Sequence, residues 1–464
     1  MRRFFAIATA SALFGAGAPA AAQGDFAPDS LVKAILDHRI AAKRGTGFVV
    51  AILEGGSPPR IHTAGTSGVE GLPLDSNTVF EIGSITKVFT TALFADMVAR
   101  GEVKLDDPIA MYLPRNVRVP TRGERQITLL DLATQTSGLP RLPTNLRPAS
   151  PANPYAGYGV PDLYEFLSGY RLTRDIGSQY EYSNLGIGLL GHLLSLKAGR
   201  PYEDLLRERV LIPLGMRDTG IELDSGMLAR RARGFNALGE PVTGWDFDVI
   251  AGAGALRSTA ADMLRFLAAN LDSASSPLGR AIAATRVARR PADRPQNHIG
   301  LGWHIVEAFG TTIVWHNGGT GGYRAFIGLD EKRNRGVIVL SNSTINPDDI
   351  GFHLLEPTVP LDLPPRPPEM RKEVRVGAAK LVPLVGVYEL APAFRLTITR
   401  EGERLFGQAT GQQRVQLYAE SDLKFFLRTS GAQVTFVMGA DGKVGQLILH
   451  QGGANIPGRR VGQD

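Results

Sequence analysis

Apolar positions repeat along this chain with two different periods, and the period changes twice. Residues 48–53 read as a strand, Glu54-Gly55-Gly56 starts a turn, and residues 60–64 read as the returning strand. Strand-like segments come back late, at 312–315, 323–329 and 337–340, with turn residues between them. Between the two sets the spacing is mostly helical, over 86–100, 129–134, 185–198 and 259–270. Early and late strands around a helical middle predict an α+β fold. One antiparallel sheet is built from both ends of a domain and flanked by helices, with a helical lobe inserted. Residues 141–161, rich in Pro, Asn, Gly and Ala, interrupt the helical part. So long a stretch is either a wall or lid of an active site or a variable surface loop.

Past residue 357 the texture changes again. Pro364-Pro365 and Pro367-Pro368 mark a semi-rigid linker. Short apolar or alternating runs follow at 384–390, 394–399, 404–408, 415–418, 424–428, 434–438 and 446–450. Turns such as Arg400-Glu401-Gly402 and Asp441-Gly442 separate them, which predicts a small antiparallel β-barrel as a domain of its own. The expected organisation is a signal peptide (1–22), a main domain (23–356), a linker (357–373) and a C-terminal β domain (374–464).

Composition narrows the possible functions. Met1-Arg2-Arg3 is a basic start, residues 4–18 are apolar and rich in small side chains, and Ala20-Ala21-Ala22 precedes Gln23. That is a cleavable secretory signal, and it implies a periplasmic or secreted protein. No later stretch reaches the 18 or so apolar residues of a membrane span. The chain has no cysteine, so thiol catalysis and thiolate metal sites are excluded. A net charge of +6 over 464 residues is mild, and no dense basic tract with interleaved aromatics points to nucleic acid. Residues 286–294 are locally basic and read as a solvated face. The eight histidines show no ligand spacing, so neither metal nor cofactor is expected.

Candidate chemistry starts at Ser84-Ile85-Thr86-Lys87, where a helical run opens. Residues three apart share a helix face, which puts the Lys87 amine beside the Ser84 hydroxyl. A serine needs a base to become a nucleophile, and a buried lysine with a lowered pKa can be that base. Alone, the tetrapeptide reads better as a helix cap and a surface cation. Ser421-Asp422-Leu423-Lys424 repeats it in a β-rich region, where residues three apart point to opposite faces. In Tyr182-Ser183-Asn184 the phenol can relay protons to a leaving group. The Asn184 amide can bond the lysine and a substrate carbonyl. His316-Asn317-Gly318-Gly319 follows a strand, where a Gly319 N–H can join that of Ser84 around an oxyanion. The plainer reading is a glycine-rich hairpin turn with a half-exposed histidine. No serine stands in a Gly-x-Ser-x-Gly elbow. Gly186-x-Gly188-x-x-Gly191 sits inside a helical run and reads as close helix packing.

Together, Ser84-x-x-Lys87, Tyr182-x-Asn184 and His316-x-Gly318 resemble the serine β-lactamase and penicillin-binding-protein superfamily. They are most similar to its class C β-lactamase, D-alanyl-D-alanine carboxypeptidase and esterase branch. The order agrees, as do the flanks Phe80-Glu81-Ile82-Gly83, Thr136-Ser137-Gly138-Leu139-Pro140 and Gly252-Ala253-Gly254-Ala255-Leu256. The resemblance covers residues 28–345. It implies a β-lactamase/transpeptidase-like fold and a serine hydrolase working through an acyl-enzyme on Ser84. Lys87 and Tyr182 would share acid–base work, and Asn184, His316, Asn317, Gly318 and Gly319 would bind the substrate, a small peptide, amide or ester. Alternatives within the same family are a penicillin-binding sensor with little turnover and a β-lactamase. His316 stands where class C β-lactamases usually carry lysine, and a histidine there resembles the peptidase members. The C-terminal domain resembles the lipocalin-like domain of some relatives.

Overall fold

The computed structural model describes residues 26–308, 310–362, 373–391, 394–428, 432–439, 441–451 and 454–462. The expected signal peptide and most of the proline-rich linker lie outside these residues.

One antiparallel sheet joins the two ends of the larger domain. Gly47–Glu54 pairs with Arg60–Gly65 on one side and with Arg335–Ser341 on the other. Arg324–Asp330, Thr311–Gly319, His304–Ala308, Asn297–Ile299 and Arg290–Pro291 continue it, giving eight strands. The last three were not anticipated, because they are short and carry few apolar residues. Side chains alternate across a strand, so the sheet divides two cores. Phe48, Val50, Ile313, Phe326 and Val339 face the helices Asp29–Ala41 and Asp348–Leu355. Val49, Ala51, Val314, Ile327 and Ile338 face the helical lobe.

Thr311–Gly319 runs further than its composition predicts. It continues through the glycines, with Gly318 opposite Ala325 and Gly319 opposite Arg324. The turn is compressed to 320–323 and closed by the Thr320 N–H on the Tyr323 carbonyl at 3.1 Å. Backbone pairing needs no side chains, and here the glycines serve a close approach described below.

Thr86–Ala99 is buried from Thr86 to Met97, as expected of a helix apolar on all sides. It ends at Arg100, followed by Gly101 at φ 73°, the left-handed conformation that glycine adopts without strain. Asn184–Ala198 carries the three glycines of the letter-match to a dinucleotide motif. A Cβ on Gly188 would stand 2.6 Å from Ile250 Cβ, and one on Gly191 3.3 Å from Gly252 Cα. The glycines therefore admit the 250–254 turn against the helix, as the packing reading expects. In the basic stretch, Arg286 departs from the solvated reading. It is buried, ion-paired to Glu331 at 2.5 Å and bonded to Asn270 at 3.1 Å.

Beyond the linker, eight strands from Gly386–Ala391 to Ala454–Gly462 close into an antiparallel barrel. The eighth strand was missed because Pro457-Gly458 reads as a break. Pro457 pairs with Ile448, while pairing to the opposite neighbour starts only at Arg459, so the missing N–H is tolerated there. Tyr388, Ile398, Leu405, Phe425, Phe436 and Leu447 are buried in the barrel core. At eight strands a barrel is just wide enough for such side chains to fill it. Among the described residues no helix is long and apolar enough to cross a membrane.

Candidate active site

The three motifs meet on the lobe-facing side of the sheet, where one edge of Thr311–Gly319 abuts the start of Thr86–Ala99. Ser84 sits in a single 3-10 turn, Gly83–Ile85, that runs directly into this helix. Two contacts fix the turn. Phe80–Glu81 pairs with Arg257–Ser258, and Thr86 Oγ1 donates to the Gly83 carbonyl at 2.7 Å while accepting the Leu256 N–H at 3.1 Å. Gly83 has φ 50°, and a Cβ there would lie 2.6 Å from the Gly319 nitrogen. A Cβ on Gly318 would lie 1.9 Å from the Ile82 carbonyl oxygen and 3.2 Å from the Ser84 nitrogen. Only a strand bare of side chains can pass this close. The backbone amides of Ser84 and Gly319 thereby come to the same small region, as an oxyanion hole requires. Gly318→Ala should therefore be damaging, with about 1–3 kcal/mol of stability lost to overpacking and most of the activity gone. Denaturant unfolding beside turnover measures both losses.

Lys87 lies one helical turn from Ser84, with Nζ 3.0 Å from Ser84 Oγ, and it donates to the Ala253 carbonyl at 2.6 Å. Its side chain is fully buried. Burial, and secondarily the positive field of Arg141, hold the amine well below its usual pKa, which makes it easier to free as the base that takes the serine proton. The Ser421 hydroxyl, by contrast, accepts the backbone N–H of Leu423 and Lys424 in a turn. It is a turn cap, as its β setting predicts.

Tyr182 is half-buried over this pair. The Lys87 Nζ lies 4.9 Å from its ring centroid, and its hydroxyl feels Ser84 nearby. Burial pushes the phenol up to about 12, against the smaller opposing pull of Arg141 and of Ser84. The phenol therefore keeps its proton, while burial shifts the amine the opposite way, towards giving its own up. Asn184 opens the next helix, with Ser183 as its cap accepting the Gly186 N–H at 2.8 Å. The expected Asn184–Lys87 bond is absent. Asn184 Nδ2 donates to the Tyr155 hydroxyl at 3.2 Å, and Asn184 Oδ1 is buried with no partner among the described residues. Ala253, a backbone acceptor that no side-chain pattern reveals, takes the lysine instead. Tyr155 belongs to the long 141–161 segment and stacks on Phe247 at 4.6 Å, so this part of the segment forms a packed wall beside Asn184.

His316 is fully buried, not half-exposed in a turn. Its Nδ1 lies 2.6 Å from the Asn317 carbonyl, so Nδ1 carries the proton, and Nε2 is left without a partner among the described residues. Burial holds it far below the usual histidine pKa, and it is neutral. His304, a residue the motif search missed, stands 5.1 Å away ring to ring and stacks over Tyr182 at 6.3 Å. Burial pushes it down to about 4. The alternating run at 304–308 was its only sequence signal. Asn317 points to the other face of the sheet, where its amide bonds the Asp348 carboxylate. Its side chain is thus not gathered with Ser84, Lys87, Tyr182, Asn184 and His316. Among the described residues, no cluster of three or more His, Asp or Glu could hold a metal.

The geometry agrees with comparisons to known proteins. A family model described as Beta-lactamase matches residues 32–353, and one described as a domain of unknown function (DUF3471) matches 370–459. The D-alanyl-D-alanine-carboxypeptidase/endopeptidase AmpH of Escherichia coli (strain K12) is 27% identical, over 68% of this chain and 84% of its own. Penicillin-binding protein 4* of Bacillus subtilis (strain 168) is 27% identical over 90% of this chain and 96% of its own, and so reaches into the barrel. The solved class C β-lactamase of Rhodobacter sphaeroides superposes with a TM-score of 0.59 at 26% identity, covering 67% of this chain and 93% of that one. The chain belongs to the Beta-lactamase family and is a serine hydrolase.

Proposed function

We propose that the protein is an exported hydrolase that cleaves a small peptide, amide or ester through an acyl-enzyme on Ser84, with a D-amino-acid peptidase or carboxypeptidase ahead of an esterase. The observation that carries this reading is the fully buried Lys87 at 3.0 Å from Ser84 Oγ, its pKa pushed down by that burial. The Ser84 proton passes to Lys87 Nζ as Oγ bonds the substrate carbonyl carbon. The amides of Ser84 and Gly319 hold the oxyanion. Tyr182 gives its proton to the leaving nitrogen or oxygen as that bond breaks, and recovers one from Lys87 through the Ser84 site. Water then replaces the leaving group and the same transfers run in reverse. Lys87 and Tyr182 titrate as one coupled pair in this scheme.

The neutral His316 favours a peptidase over a β-lactamase, since it offers no fixed cation where the resemblance places an ammonium for the antibiotic carboxylate. The test is a substrate panel with the purified protein: acyl-D-Ala-D-Ala peptides, D-aminoacyl amides, p-nitrophenyl esters and a chromogenic cephalosporin. Peptide or ester turnover with slow cephalosporin turnover supports the reading. Fast cephalosporin turnover alone assigns a β-lactamase, and stoichiometric acylation without turnover assigns a sensor.

The pH profile follows from the two shifts. Activity needs Lys87 free of its proton, so kcat/KM should fall about tenfold per pH unit below the apparent pKa of the pair. Tyr182, held at about 12, should give no alkaline fall below about pH 10. His316 is already neutral, so His316→Gln should lower the rate yet leave the acid limb at the same pH. A limb that disappears in this variant would assign the titration to the histidine.

A further inference from the structure

We infer that Arg141 is the substrate's anion-binding residue, and that it selects a leaving group ending in a carboxylate. The inference rests on the reading that Tyr182 faces the leaving group. Arg141 follows the Thr136–Pro140 flank, and its backbone is stitched to the second motif. Its carbonyl accepts the N–H of Asn184 at 3.0 Å and of Leu185 at 3.3 Å, and the neighbouring Pro140 carbonyl accepts the Ser183 hydroxyl at 2.7 Å. The guanidinium is thereby carried over Tyr182, with its carbon 4.9 Å from the ring centroid.

Arg141 is exposed, and among the described residues its guanidinium meets the Tyr182 ring and is left with hydrogen-bond donors to offer. Its field nevertheless reaches Lys87, Tyr182, Tyr155 and Tyr180. A guanidinium with unused donors matches a carboxylate in a two-pronged bond. The other candidate cations of the cleft do not compete. His304 and His316 are neutral, and the Lys87 amine is buried against Ser84 and the Ala253 carbonyl. Arg324 is half-buried, its Nη1 held by the Thr320 and Tyr323 carbonyls, both at 3.1 Å, and it lies in the field of Asp348. An anion held by Arg141 lies against the Tyr182 ring, and in the proposed scheme the Tyr182 phenol is the group that protonates the leaving atom. The released fragment therefore bears the carboxylate, as the C-terminal residue of a peptide does. Neutral esters and amides lack that contact.

The test is protection of Ser84 from a neutral fluorophosphonate by N-acetyl-D-alanyl-D-alanine and by its C-terminal carboxamide, followed by intact mass. In the wild type the acid should protect about 10- to 100-fold better than the amide, the worth of one charge-assisted hydrogen-bonded pair. In Arg141→Gln that ratio should fall towards one, and Arg141→Lys should keep part of it. Equal protection by the two peptides in wild type, including none by either, overturns the inference, as does a ratio that survives in Arg141→Gln. Failure of the fluorophosphonate to label wild-type Ser84 is a different result, and overturns the hydrolase mechanism on which the inference rests.

Discussion

Ser84→Ala should fold as the wild type does and hydrolyse none of the substrates the wild type accepts, with kcat lowered by about 10⁴-fold or more. The size of the loss follows from the arrangement around the hydroxyl. Lys87 Nζ at 3.0 Å and the Tyr182 hydroxyl both act through Ser84 Oγ. Removing that one atom disconnects the base from the acid as well as deleting the nucleophile. The remaining oxyanion amides can still bind substrate, so KM should change far less than kcat. Stability should change little, because Ser84 is half-buried and alanine leaves the Thr86–Gly83 and Thr86–Leu256 bonds in place. A variant with residual turnover within about 10²-fold of wild type would move the chemistry to another residue.

Lys87→Met should be equally inactive and yet more stable, which separates a catalytic lysine from a structural one. In an unfolded chain the amine is protonated up to about pH 10.4. In the fold, burial holds that pKa well below its unfolded value. Folding therefore works against the protonated amine. That cost is complete below the folded pKa and vanishes above the unfolded one. Methionine is of similar volume and titrates nowhere, so at pH 7 it should gain about 1–4 kcal/mol, less about 1 kcal/mol for the orphaned Ala253 carbonyl. Denaturant unfolding from pH 7 to 11 measures this, and the gain should shrink as the pH rises and level off once it passes about 10.4. A variant less stable at every pH would make Lys87 a packing residue, and one that still acylates would remove it from the mechanism. The same trade between stability and activity is common at functional sites.

The residues that carry the chemistry were legible where local periodicity sets their geometry. Ser84 and Lys87 sit one turn apart on a helix whose stop at Gly101 is itself a sequence signal. The first strand pair and the return of Arg335–Ser341 to Gly47–Glu54 follow from alternation and turn residues. Contacts that depend on tertiary approach were not legible. The Ala253 carbonyl reaches Lys87 because Gly188 and Gly191 let a distant turn close in, and nothing local to Lys87 records that. His316 reads as part of a turn, since the glycines after it look like punctuation. Their absent side chains in fact admit Ile82 and Ser84. Arg141 owes its place over Tyr182 to two backbone hydrogen bonds with Asn184 and Leu185, and His304 lies on a strand too short to stand out.

The most direct test of the account is to trap the acyl-enzyme and locate it. Wild-type protein is quenched in acid within seconds of mixing with penicillin or with a fluorophosphonate, its intact mass is recorded, and the adduct is mapped by proteolysis. The account predicts one equivalent of added mass, on the peptide containing Ser84, absent in Ser84→Ala and in Lys87→Met. An adduct on any other residue, or none under conditions where substrate is turned over, would contradict it.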